Sequence, residues 1–208
     1  MTRPCYRQGE NTARDRLEEA FWNALAEGHY EKMSVIGLCR AANVNKNTFY
    51  YHFGNIDDLA ESAATSLLTS AFLDAVAQAV QGSITIPESY SVRDFSRALD
   101  RLGLMAANEG SPRLRQMLRD AVGQAWTEVF AIDMEALDLK ELASFEFVRD
   151  GFLGVLAMRA RMGNELAFED VWGAPYQVYA LSIIHSLQKA SAASSRTRSV
   201  NVAEYQGR

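Results

Sequence analysis

The chain has 208 residues, 48% of them apolar and 23% charged, with a net charge of −5. That is enough apolar material for a core without staples, and the two cysteines, Cys5 and Cys39, match no metal-ligand spacing, which excludes a disulfide framework and a zinc module. The negative balance excludes a protein that coats nucleic acid indiscriminately, because such binding runs on phosphate neutralisation, yet it leaves room for a small local DNA-binding face. In chain order, Leu17, Ala20, Phe21, Ala24 and Leu25 make one stripe of an amphipathic helix that ends near Gly28. Ser34 is a suitable N-cap for a short second helix over 34–41, with Met33 and Leu38 placed as a hydrophobic staple. Asn43 sits where the chain must reverse, since Asn tolerates positive φ. Asn45 caps a third helix running to about Tyr51. Asn55, followed by Asp57 and Asp58, opens a fourth.

The apolar periodicity of the fourth helix runs from Ile56 to Val80 and predicts one long rod of about 37 Å, at about 1.5 Å per residue. A connector with Pro87 follows, then a fifth helix marked by Val92, Phe95, Leu99, Leu102 and Ala106. Gly110, Ser111 and Pro112 read as stop, cap and first residue of a helix pair, 112–119 and 121–137. Two more apolar helices are expected at about 139–161 and 175–190, and Ser191 to Arg208 is expected to be a frayed tail. No β-rich run and no internal repeat interrupts this pattern.

Three short helices and a long one, with a tight turn between the second and third, form a helix-turn-helix unit whose third helix can enter the major groove. In that helix Asn45, Lys46, Asn47, Thr48, Tyr50, Tyr51 and His52 are donors or acceptors, while Phe49 and Phe53, four apart, can anchor it to a core. Taken singly these residues have plainer readings. Tyr50 and Tyr51 could pack, Lys46 could be a solvated charge, and His52 an ordinary surface imidazole. Cys39 is most simply a small buried residue. Residues 1–56 carry Arg3, Arg7, Arg14, Arg16, Lys32, Arg40 and Lys46 against Glu10, Asp15, Glu18, Glu19, Glu27 and Glu31, so the acidity lies downstream.

The stretch from Ala13 to Leu59, with LEEAFWNALAEGHYEKMSV and LCRAANVNKNTFYYHFGNIDDL, resembles the DNA-binding domain of TetR-type (tetracycline-repressor family) regulators. The matching features are Gly28 and Tyr30, Ala41 and Val44 across the turn, Thr48-Phe49-Tyr50, Phe53 and Leu59; downstream, FVRDGFLGVLAMRAR is similar to the penultimate helix of many members. The resemblance implies an all-α fold: an N-terminal arm and helix-turn-helix domain over 1–54, a long connecting helix, a helical ligand-binding and dimerisation domain over 55–193, and a disordered tail at 194–208. It implies that Lys46, Asn47 and Tyr51 read bases, that Thr48, Tyr50 and His52 fix the register through phosphates, and that Ser34 sits near a phosphate at the start of the second helix. This sequence departs from the family with Asn43 for the usual turn glycine and Asn47 for a small residue. Ile56 replaces the lysine that commonly opens the fourth helix, so one phosphate contact is lost unless Arg3, Arg7 and Arg14 compensate.

The helices at 139–161 and 175–190 are apolar on more than one side, and their second face needs a cover. A second copy supplies it, with Phe152, Val155, Tyr179 and Ile183 as interface candidates and Gly151 and Gly154 allowing close approach. A monomer in which both helices are central is the plainer alternative. Met105, Met117, Trp126, Phe130 and Met134 are candidates for a pocket that takes an unidentified small-molecule effector, although a plain core has the same composition. The sequence thus predicts a cytoplasmic, homodimeric, ligand-responsive repressor of a palindromic operator, in which the long helix swings like a lever. The alternative is a helical interaction protein that keeps the fold without operator binding. With three histidines, His29, His52 and His185, and no HExxH, GxSxG, phosphate-binding loop or CxxC, no catalysis, cofactor, metal or membrane association is expected.

Overall fold

A computed structural model describes residues 12–28, 30–80, 91–108, 111–163 and 176–206, and all described secondary structure is helical. Expectations for Cys5, Arg3, Arg7, His29, Pro87 and Gly110 lie outside the described residues. Helix α1, Ala13–Glu27, starts in a capping box: Thr12 Oγ1 accepts from the Asp15 amide at 3.2 Å, and the Thr12 amide donates to the Asp15 carboxylate at 2.9 Å. It buries Leu17, Ala20, Phe21, Trp22 and Leu25. After a 3-10 turn at Tyr30–Lys32 come α2, Val35–Ala41, and α3, Lys46–His52. The turn between them contains Asn43 at φ 51°, with the Val44 amide bonded to the Cys39 carbonyl at 2.9 Å.

The expected rod is two helices. α4 covers Ile56–Leu67 and α5 Ser70–Val80. The apolar stripe continues across the junction, but Thr69 restarts the helix: its hydroxyl accepts from the Phe72 amide at 3.2 Å and its carbonyl from the Leu73 amide at 2.9 Å. A Thr used as an N-cap takes an extended backbone and breaks the ladder behind it. The all-helical architecture stands; the single long connecting helix does not.

Downstream lie α6, Val92–Ala107, and α7, Pro112–Val129, capped by Ser91 and Ser111. α7 is one helix where a pair was expected. Nothing near Asp120 breaks it, and it stops at Phe130, followed by Ala131 at φ 50°. A 3-10 turn at Met134–Ala136 leads to α8, Leu139–Arg161, and the last helix, α9, is Tyr176–Gln206. The expected frayed tail is therefore helical as far as Gln206, in keeping with a segment that has no Gly or Pro before Gly207.

The buried side chains form one continuous cluster from Leu17 in α1 to Leu187 in α9. Its tightest joint is α6 on α8, where a Cβ on Gly103 would stand 2.9 Å from the Leu156 carbonyl and 3.3 Å from Ala160 Cβ. Only glycine lets these backbones approach so closely. The Asp100 carboxylate, one turn earlier, pairs with the buried Arg159.

The N-terminal unit is joined to this body at two places. Glu19 of α1 accepts from Arg97 at 2.8 Å and Arg101 at 2.5 Å, both on α6, and Arg101 also lies 5.3 Å from the Trp22 ring centroid. Partial burial would raise the Glu19 pKa, but the two guanidiniums outweigh that and hold it below 4.5. At the second joint Asp57 of α4 accepts from Arg113 of α7 at 2.8 Å and from the Tyr30 hydroxyl.

Candidate nucleic-acid interface

Local chemistry sets the pose of α3. Asn45 is extended, and its Oδ1 accepts from both the Thr48 amide at 2.8 Å and the Thr48 hydroxyl at 3.1 Å, so two of the expected contact residues also start the helix. Phe49 is fully buried and Phe53 is 4% exposed, their rings 5.9 Å apart. With that side pinned, the opposite side must face solvent. Tyr51 is 84% exposed and Tyr50 56%. Lys46 and Asn47 are exposed as well, while Thr48 and His52 are half-buried. The Tyr50 ring stands edge-on to Phe49 at 5.4 Å and Tyr51 edge-on to His52 at 4.9 Å, which restrains both phenols without burying them. Such large exposed aromatics among donors and a cation leave α3 able to meet phosphates and base edges.

Ser34 is exposed before α2, its Oγ accepting from the Gly37 amide at 3.1 Å. The hydroxyl proton remains for an acceptor outside the chain. The sequence reading passed over Arg40 and Ile36, both exposed and one turn apart on α2, with Ile36 at 54%. Their signal was positional: both lie off the buried Leu38–Cys39 side of that helix. Ile56 is partly buried against the core, which explains why a lysine is not required there for folding. Arg14 does not stand in for it. Its guanidinium bonds Glu18 at 3.2 Å and Ser62 Oγ at 2.6 Å and sits over Phe53, drawn in toward α4.

Residues 19–63 match the family model of bacterial regulatory proteins, tetR family. That segment contains the turn, α3 with its exposed face and most of α4. This is a regulator of the TetR type. The TetR-type chain is also similar to a solved structure, the fatty acid degradation regulator FadR from Bacillus halodurans, at 13% identity and a TM-score of 0.45, over 82% of this chain and 96% of that one. No curated protein matches the TetR-type chain.

The other candidate residues of the TetR-type regulator are spread more widely. Met105, Trp126 and Phe130 are core side chains, with Met117 and Met134 packed against that core. Phe152 faces inward, its ring 5.4 Å from Trp126. Val155 and Ile183 are half-buried and Tyr179 is 69% exposed. The fully exposed line of α8 runs instead through Phe147, Gly151, Gly154 and Met158. Among the described residues no helix is long and apolar enough to cross a membrane, and no cluster of His, Cys, Asp and Glu could hold a metal ion.

Proposed function

We propose that the chain is a cytoplasmic transcriptional repressor that binds a palindromic operator as a homodimer and releases it when a small molecule binds. The N-terminal domain, to about residue 54, holds DNA, and residues 55–193 hold the partner subunit and the effector. The observation that carries the reading is the exposed side of α3, where Lys46, Asn47, Tyr50 and Tyr51 project opposite the buried Phe49. Lys46, Asn47 and Tyr51 then read bases; Ser34, Thr48, Tyr50 and His52 hold phosphates, and Arg40 adds charge beside them. Asn45 orders the start of the helix.

For the dimer, the support is apolar surface with no cover. Phe147 is 71% exposed, Val178 68% and Tyr179 69%, with Met158 on the same line of α8. Apolar groups of this size in water favour a partner. A Cβ on Gly151 or Gly154 would meet nothing within 4 Å, so another helix can come close there. Two-fold pairing of these faces places two copies of α3 on successive turns of one groove, roughly 34 Å apart.

Selection from a random DNA pool at two salt concentrations tests the whole reading. An inverted repeat supports a dimeric, sequence-specific regulator. Recovery of no sequence favours the second reading, a DNA-independent interaction protein, which the inward-drawn Arg14 and the packed Ile56 support.

A further inference from the structure

An open cleft of about 210 Å³ lies where the C-terminal end of α6 meets α7 and α8. Part of its lining is apolar and low in relief: Leu118 and Leu153 stand beside Ala106, Gly154 and Ala157, which carry one methyl group or none. Walls of that kind accept a flat body better than a branched one. The polar part holds two guanidiniums, Arg115 and Arg119, against a single carboxylate, Asp150.

Arg119 donates to Asp150 at 3.0 Å and to Glu146 at 2.7 Å. The same two carboxylates also serve Arg149, which is 6% exposed and bonds Asp150 at 3.2 Å as well as Glu146. Two acids are thus shared by two arginines, and Arg115 brings further positive charge into the lining. The Arg119 Nε–H is buried with no acceptor. A buried donor left without a partner costs free energy that an incoming acceptor recovers. Both the charge balance and the orphaned donor favour an anion at this end of the cleft.

We propose that the cleft binds a planar aromatic carboxylate, with its ring system against Ala106, Gly154 and Ala157 and its carboxylate toward Arg115 and Arg119. The site is also the effector site, a part of the proposal that rests on the ligand-responsive reading above. Arg115 is two residues from Arg113, which reaches the N-terminal unit at Asp57, 2.8 Å away. An anion drawn to Arg115 therefore acts on the helical turn that touches the DNA-binding unit.

The test is calorimetric titration of the full chain with 2-naphthoate and with its neutral counterpart 2-naphthylmethanol, in wild type, Arg115→Gln and Ala157→Leu, alongside operator binding by anisotropy. Wild type is expected to prefer the carboxylate by about tenfold or more, as a charge-assisted contact gives. Arg115→Gln should erase that preference, and Ala157→Leu should abolish binding of both compounds. If Ala157→Leu does not fold, Ala106→Val fills the opposite wall. No naphthoate binding, equal affinity for the alcohol, or variants that bind like wild type overturn the site. Residue-dependent binding that leaves operator affinity unchanged establishes the site and overturns its effector role. Release of operator by an unrelated compound, with no naphthoate binding, sinks the site and leaves the ligand-responsive reading standing.

Discussion

The Arg113 guanidinium, in the first turn of α7, lies 2.8 Å from the Asp57 carboxylate at the start of α4. The same carboxylate accepts the Tyr30 hydroxyl, so one acid ties together the end of the first helical segment, the connecting helix and the larger body. Arg113 is mostly exposed, and an exposed pair contributes at most about 1 kcal/mol to stability. Its effect on the orientation of the N-terminal unit is expected to exceed that. Arg113→Ala should shift operator affinity by about fivefold, as a coupling of about 1 kcal/mol does, with little change in the urea midpoint. Unchanged affinity would reduce the pair to surface decoration.

Tyr30 supplies a pH signature. Burial, then the hydrogen bond to Asp57, pushes its phenol well above the ordinary 10.0. A folded state that holds a proton more tightly than the unfolded chain is stabilised fully below pH 10 and loses that stability as pH rises toward the folded pKa. Ultraviolet titration should show one phenol ionising late, together with unfolding. Tyr30→Phe should remove that late phenol and cost about 1 kcal/mol.

Two substitutions on α3 should separate base reading from anchoring. Lys46→Ala is expected to relax discrimination at one operator position by about 1–3 kcal/mol, whereas Tyr50→Phe should weaken all sequences alike. The measurement is a panel of single-base operator variants. Wild-type behaviour in both proteins would displace the recognition surface from α3.

Asn43 holds the turn at φ 51°. A β-branched residue is strained there, so Asn43→Val should lower stability by about 1–2 kcal/mol, while Asn43→Gly should lower it not at all. Equilibrium urea unfolding of the two variants decides the point, and equal losses would contradict the backbone argument.

Replacing an exposed apolar group tests the dimer face without disturbing the core. Phe147→Asp and Tyr179→Asp should each shift sedimentation toward the monomer and weaken operator binding while leaving helix content intact. A dimer that survives both changes must use another surface.

Capping chemistry made the N-terminal unit readable. Ser34, Asn45, Asn55 and Ser111 all cap helices through their side chains, and Asn43 takes the positive φ its amide side chain tolerates. Phe49 and Phe53 pointed inward as their spacing required. Periodicity misled where it was strongest. Leu67, Leu68, Ala71 and Phe72 carry the apolar stripe straight across Thr69, and a cap embedded in such a stripe leaves no trace in the pattern. The division of α7 failed for the opposite reason: a charged Arg119–Asp120 pair looked like a boundary yet is compatible with a helix interior. The cleft was illegible because its lining comes from three helices and no local motif joins them.

The junction at Thr69 changes what kind of machine the connector can be. An unbroken rod would pass a twist from one end to the other, but two segments meeting at a cap absorb it as bending. Force on the DNA-binding unit has to arrive from the side, through Glu19 and Asp57. Two points of support define an axis, so the unit is free to rock about the line joining them and is braced against other rotations.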